Sequence, residues 1–177
     1  MKRDFIIVLL ILITFSSCYQ SKKEKIDKTS DYQYVDERAV ILKDSWYYDW
    51  LKKIYGYVPW QPTEEDLKLT QTILEHAIEN YEFDFIKKPI KSNIEKYFRQ
   101  YIPFLNEKGE KAIEINAFCE LLKIPPKEEL AKKGVTEWNE IDWKNYYVQV
   151  DDGGLCYWRI KINIDKMSYE SVMVNGF

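Results

Sequence analysis

The sequence predicts an α+β domain: an antiparallel sheet of four to five strands with one main helix packed across one face. Three observations carry this. Apolar residues recur at spacings of three and four between Glu64 and Tyr81. Beyond Asn93 the period changes to two. The alternating runs are separated by NEKG, DDGG and DKM, all of which read as turns.

The folded part is expected to run from residue 32 to 177 as a single domain, with strand order left open. RAVILK (38–43) reads as a short strand. SWYYDWLKKIY (45–55) reads as a helix capped by Ser45, with Trp46, Trp50, Leu51 and Ile54 on one face and Gly56 ending it. The strongest helix follows Pro62. Thr63 is its N-cap, and Glu64, Glu65 and Asp66 fill a first turn where the helix dipole favours negative charge. Leu67, Thr70, Leu74, Ala77, Ile78 and Tyr81 form its apolar stripe.

IEKYFRQYIPF (94–104) then reads as an extended run, with Pro103 marking an edge or a bulge. NEKG (106–109) places Gly109 at a left-handed position. In KAIEINAFC, Ile113, Ile115, Ala117 and Cys119 point one way, and Glu114 and Asn116 the other. Residues 120–144 interrupt the sheet with a short helix, KEELAKK, that opens after Pro125-Pro126 and ends at Gly134. Tyr146, Val148 and Val150 alternate before DDGG. Cys156, Trp158, Ile160, Ile162 and Ile164 alternate after it, and SYESVMVNG supplies Val172 and Val174.

DDGG is accounted for as a hairpin corner, since Gly reaches positive φ freely and Asp tolerates it better than most. A weak cation site on Asp151 and Asp152 is the competing reading. Calcium wants six to eight oxygens, and two adjacent side chains do not supply them. No ligand set for a metal or cofactor is otherwise legible. His76 is the single histidine, so two-histidine zinc spacings are excluded. Phosphate-cradling glycine loops, nucleophile elbows and CxxC pairs are absent from the sequence.

Aromatic residues make up 16% of the chain. Trp46, Tyr47, Trp50, Trp60, Trp138 and Trp143 lie off the clean strands and are the candidates for stacking on a sugar or anchoring a protein partner. Core filling is the competing account. The formal charge of −3 gives no basic footprint for nucleic acid.

The chain opens MKRDFIIVLLILITFSSC. Lys2 and Arg3 precede an apolar run from Phe5 to Phe15, too short to span a bilayer, and two small serines stand before Cys18. Residues 1–17 therefore read as a signal peptide. Phe15-Ser16-Ser17-Cys18 resembles the lipobox of bacterial lipoproteins, although an aliphatic residue is usual where Phe15 stands. The resemblance implies that Cys18 becomes the first residue and carries acyl chains into a membrane. Tyr19 in place of Asp is similar to lipoproteins sorted to the outer membrane. Cleavage there leaves 160 residues with a formal charge of −4. Residues 18–31 are polar and lysine-rich and read as a tether spanning roughly 20 Å. Two cysteines remain, Cys119 and Cys156. In an oxidising compartment they form a disulfide, or else stay as two buried thiols.

A helix followed by an antiparallel meander looks like the cystatin-like arrangement, a likeness of element order that imports no activity. The functional expectation is a cell-envelope lipoprotein that is a non-enzymatic binding module for a protein or glycan. An envelope hydrolase using a carboxylate pair and an inhibitor or immunity-type protein are the alternatives.

Overall fold

A computed structural model describes residues 36–80, 83, 94–170 and 172–175. The segments expected to be signal peptide and tether, with Cys18, and Tyr81 lie outside the described residues. Among the described residues no helix is long and apolar enough to cross a membrane.

The fold is α+β, with a sheet that is antiparallel except at one strand. Among the described residues nine strands and three α-helices follow in chain order: β1 (Ala39–Ile41), α1 (Ser45–Tyr55), β2 (Val58–Pro59), α2 (Glu64–Glu79), β3 (Phe98–Leu105), β4 (Lys111–Phe118), β5 (Lys123–Ile124), α3 (Glu128–Ala131), β6 (Asn139–Glu140), β7 (Gly154–Asn163), β8 (Ser168–Tyr169) and β9 (Met173–Asn175). The main sheet runs β1-β3-β4-β7-β8, with β2 added to β3 and β9 to β7; β5 and β6 pair separately. β1 is parallel to β3, Ala39 opposite Arg99. The α1–α2 excursion supplies the long crossover that a parallel pair requires.

α2 forms for the reasons the sequence gives. The Thr63 hydroxyl accepts from the Asp66 N–H, and the Asp66 carboxylate accepts from the Thr63 N–H, closing a capping box. Leu67, Ile73, Leu74 and Ala77 then pack on Tyr101, Ile113, Ile115, Ala117, Trp158, Ile160 and Ile162, which form the main core. The β3–β4 turn is also as read. Asn106 Oδ1 accepts from the Lys108 and Glu110 N–H groups, and Gly109 sits at φ 74°. Cys119 and Cys156 are joined by a disulfide one step beyond the Phe118–Tyr157 pair, with Cα atoms 5.2 Å apart.

Three sequence expectations are corrected. Asp44, not Ser45, caps α1: its Oδ1 accepts from the Trp46 and Tyr47 N–H groups at 3.1 and 3.2 Å. The buried face of α1 carries Tyr47 and Leu51, while Trp46, Trp50 and Ile54 are exposed. Pro103 lies inside β3, opposite Ile113, and stands at a local edge, as expected. Arg99 N–H and Tyr101 C=O bond toward the β1 side, and residues two apart share an edge, so Pro103 faces the gap between β1 and β2. No N–H is needed there.

The last correction concerns the second face of the sheet. The alternation at Tyr146, Val148 and Val150 is that of an extended chain, but residues 147–150 join no ladder. They cross the sheet face opposite α2. Gln100 Nε2 donates to the carbonyls of Trp143 (2.6 Å) and Tyr146 (2.7 Å), and its Oε1 accepts from the Val148 N–H (3.0 Å). Asn116 Nδ2 donates to the Val148 carbonyl at 2.8 Å and to Gln100 Oε1 at 3.0 Å. Two buried amides replace a missing strand. DDGG is thus not a hairpin corner but the link from this strap into β7. Gly154 has φ 56°, and a Cβ on Gly153 would sit 2.1 Å from the Tyr157 ring. The second face is filled by Leu42, Tyr47, Leu51, Ile102 and Phe104 under α1, and by Phe118, Trp143, Val148 and Tyr157 under the strap.

A candidate binding cleft between α1 and the strap

Where α1 and the strap meet over the sheet they leave a cavity of about 310 Å³. Tyr47 and Trp50 come from α1, Tyr147, Gln149 and Val150 from the strap, Asp151 from the link that follows it, Arg159 from β7 and Val174 from β9. One carboxylate fastens both walls. Asp44 Oδ1 caps α1, and its Oδ2 accepts the Tyr147 N–H at 3.0 Å.

The wall is aromatic. Tyr47 and Tyr147 stack face to face, centroids 3.8 Å apart and planes within 5°. Trp50 stacks on Tyr47 at 5.5 Å, and the series continues edge-on to Tyr55 at 5.6 Å. Behind the two tyrosine rings lies Glu114, 4% exposed, whose Oε1 accepts from the hydroxyls of Tyr147 (3.3 Å) and Tyr47 (3.5 Å). Arg159 stands beside it. Burial pushes the Glu114 carboxyl above the usual carboxylate range, and the charges of Arg159 and Lys161 with the two hydroxyls only partly oppose that. Burial, then the Glu114 charge, lifts the Tyr147 phenol to about 12 and the Tyr47 phenol further. Burial disfavours the Arg159 charge, but Glu114 and the tyrosines outweigh it and the guanidinium is held above its ordinary value.

A pH signature follows. The folded-state pKa of Glu114 is above the unfolded one, so its contribution is complete below the unfolded value, about 4.3, and is lost as pH rises through the folded value. Glu114→Gln keeps an acceptor for the two hydroxyls and cannot ionise. It is expected to melt above the parent at pH 8, with the difference shrinking toward pH 4. Melts across that range check this, and a pH-independent offset would contradict it.

The candidate residues separate clearly. Tyr47, Trp50 and Asp151 line the cleft. Trp46 and Trp138 are exposed elsewhere, at 72% and 59%. Trp60 is half-buried, its Nε1 donating to the Ala112 carbonyl at 3.3 Å, and it lines a separate apolar groove of about 470 Å³ with Tyr48 and Pro103. Trp143 is not available as a binding aromatic. It is 6% exposed and packs on Phe98 and Phe118, because the strap that carries it is the cover of the second face. Asp152 is exposed, and no three His, Cys, Asp or Glu side chains among the described residues gather around a common point for an ion.

Sequence reasoning missed Asp44, Glu114, Tyr147 and Arg159 as site residues. The one available signal was a polar residue at each alternate position of the two central strands, at Glu114, Asn116 and Arg159, and it did not say that this face is covered.

No family model, curated protein or solved structure matches this chain. The α2-then-meander order is present as α2, β3, β4 and β7, while the parallel β1 and the α1 layer are additions to it.

Proposed function

We propose that the chain is a lipid-anchored cell-envelope protein and that its cleft is a non-enzymatic binding site for a glycan. The observation that carries the site is the set of stacked rings, Tyr147, Tyr47 and Trp50, beside a guanidinium in an open cleft. Flat apolar faces next to hydrogen-bonding groups suit a sugar ring, and the volume, at the low end for ligand pockets, suits a small one. The anchor is supported by the signal-peptide layout and the lipobox-like Phe15-Ser16-Ser17-Cys18.

The hydrolase reading is less well supported. A carboxylate pair needs two carboxyls of complementary ionisation in one cleft. Glu114 beside the cleft is pushed up, whereas Asp66 and Glu110, the carboxyls held down, lie elsewhere in the fold.

Two measurements test the proposal. Fatty-acid labelling should mark the parent chain and leave Cys18→Ala unlabelled; a parent chain without label would remove the anchor. In a glycan array, Trp50→Ala should lose at least about tenfold in retention while Trp138→Ala should not. A parent protein that retains no glycan would end the binding reading.

A further inference from the structure

We infer that the cleft selects acidic sugars, with Arg159 taking the carboxylate of a hexuronate whose ring lies against Trp50. This rests on the glycan-binding reading above. The argument is one of unused capacity. Three arginines are described. Arg99 is ion-paired with Asp36 and also donates to the Ile94 carbonyl. Arg38 donates to the Lys96 carbonyl and lies over the Phe98 ring. Arg159 interacts with the Tyr147 side chain and feels the Glu114 charge, but no carboxylate stands within ion-pairing distance of it among the described residues, and its buried Nε has no acceptor.

The nearest anion does not meet that demand. Glu114 is pinned by two hydroxyls beneath the rings, and its burial favours the neutral form. Asp151, the carboxylate lining the cleft, is exposed to water and accepts from Gln149 Nε2 at 3.3 Å. A half-buried guanidinium with its Nε unbonded retains hydrogen-bonding capacity, and its planar fork matches a carboxylate through two parallel hydrogen bonds. The aromatic wall supplies a face for the rest of the ring. A sugar phosphate carries the same kind of charge, but its tetrahedral, bulkier head fills more of a cavity this small.

The test is titration of the intact chain, in detergent, with glucuronate, glucose and glucose 6-phosphate, following the indole N–H resonance of Trp50. Glucuronate should bind about tenfold or more tightly than glucose. Arg159→Gln should erase that difference, and Arg159→Lys should restore part of it. Equal affinities of the parent protein for glucuronate and glucose would overturn the inference while leaving the glycan reading in place. Tighter binding of glucose 6-phosphate than of glucuronate would overturn the carboxylate assignment. No shift with any saccharide would remove both the inference and the reading beneath it. The parent comparison alone decides the question if Arg159→Gln fails to fold.

Discussion

Trp158→Ala is expected to cost about 3–5 kcal/mol, the largest effect of any single substitution considered. Trp158 is fully buried at the centre of β7, opposite Ala117 on β4 and Val174 on β9. Phe83 and Tyr97 meet its ring edge-on at 4.9 and 5.7 Å. Truncation removes the largest apolar surface in the core and leaves a cavity that three hydrogen-bonded strands cannot collapse. The chemical denaturation midpoint should fall with the m-value unchanged. Trp138→Ala removes the same side chain from an exposed site and should shift stability by no more than about 0.5 kcal/mol. Similar losses for the two variants would contradict the assignment of the core.

Opening the disulfide comes next. Replacing both cysteines with serine is expected to destabilise by about 3–4 kcal/mol, from the entropy returned to the unfolded chain across a separation of 37 residues. The enclosed segment gives the bond a second role. It contains β5, α3, β6 and the whole strap that crosses the sheet, so the crosslink restricts the part of the chain that builds one wall of the cleft. The β4–β7 ladder is held independently by seven paired residues on each strand. Thermal melts with and without reductant should therefore differ, and the strap should loosen before the sheet does. Identical melts in the two conditions would show that the bond contributes nothing.

These effects bear on how far the sequence could be read. α2 was legible because several signals coincided: a Thr cap, three acidic residues in the first turn, and an apolar stripe with the right period. The β3–β4 hairpin was legible because an Asn-led turn with Gly109 separated two alternating runs. α1 was legible as a helix but not in its orientation. Aromatics surround it, so periodicity does not choose between Trp46-Trp50-Ile54 and Tyr47-Leu51. The choice is made by Tyr47, whose hydroxyl reaches Glu114 from 67 residues away in sequence. The strap failed for a related reason. Period-two alternation reports an extended backbone, not a ladder partner, and the partners here are the side chains of Gln100 and Asn116. Of the cleft, Tyr47, Trp50 and Asp151 were within reach as off-strand aromatics and a turn carboxylate. Arg159 looked like an outward residue of an alternating strand, because nothing local indicates that the second face is covered.

The account depends on that cover: side chains rather than a strand hold the strap, and through it the cleft, against the sheet. Amide hydrogen exchange at Tyr147 and Val148 tests this most directly. Their N–H groups are donated to Asp44 Oδ2 and Gln100 Oε1, both at 3.0 Å. Both amides should exchange as slowly as those within β4, although neither belongs to a strand, and Asp44→Ala should release Tyr147 selectively. Exchange of both at the rate of an open loop in the parent protein would contradict the account.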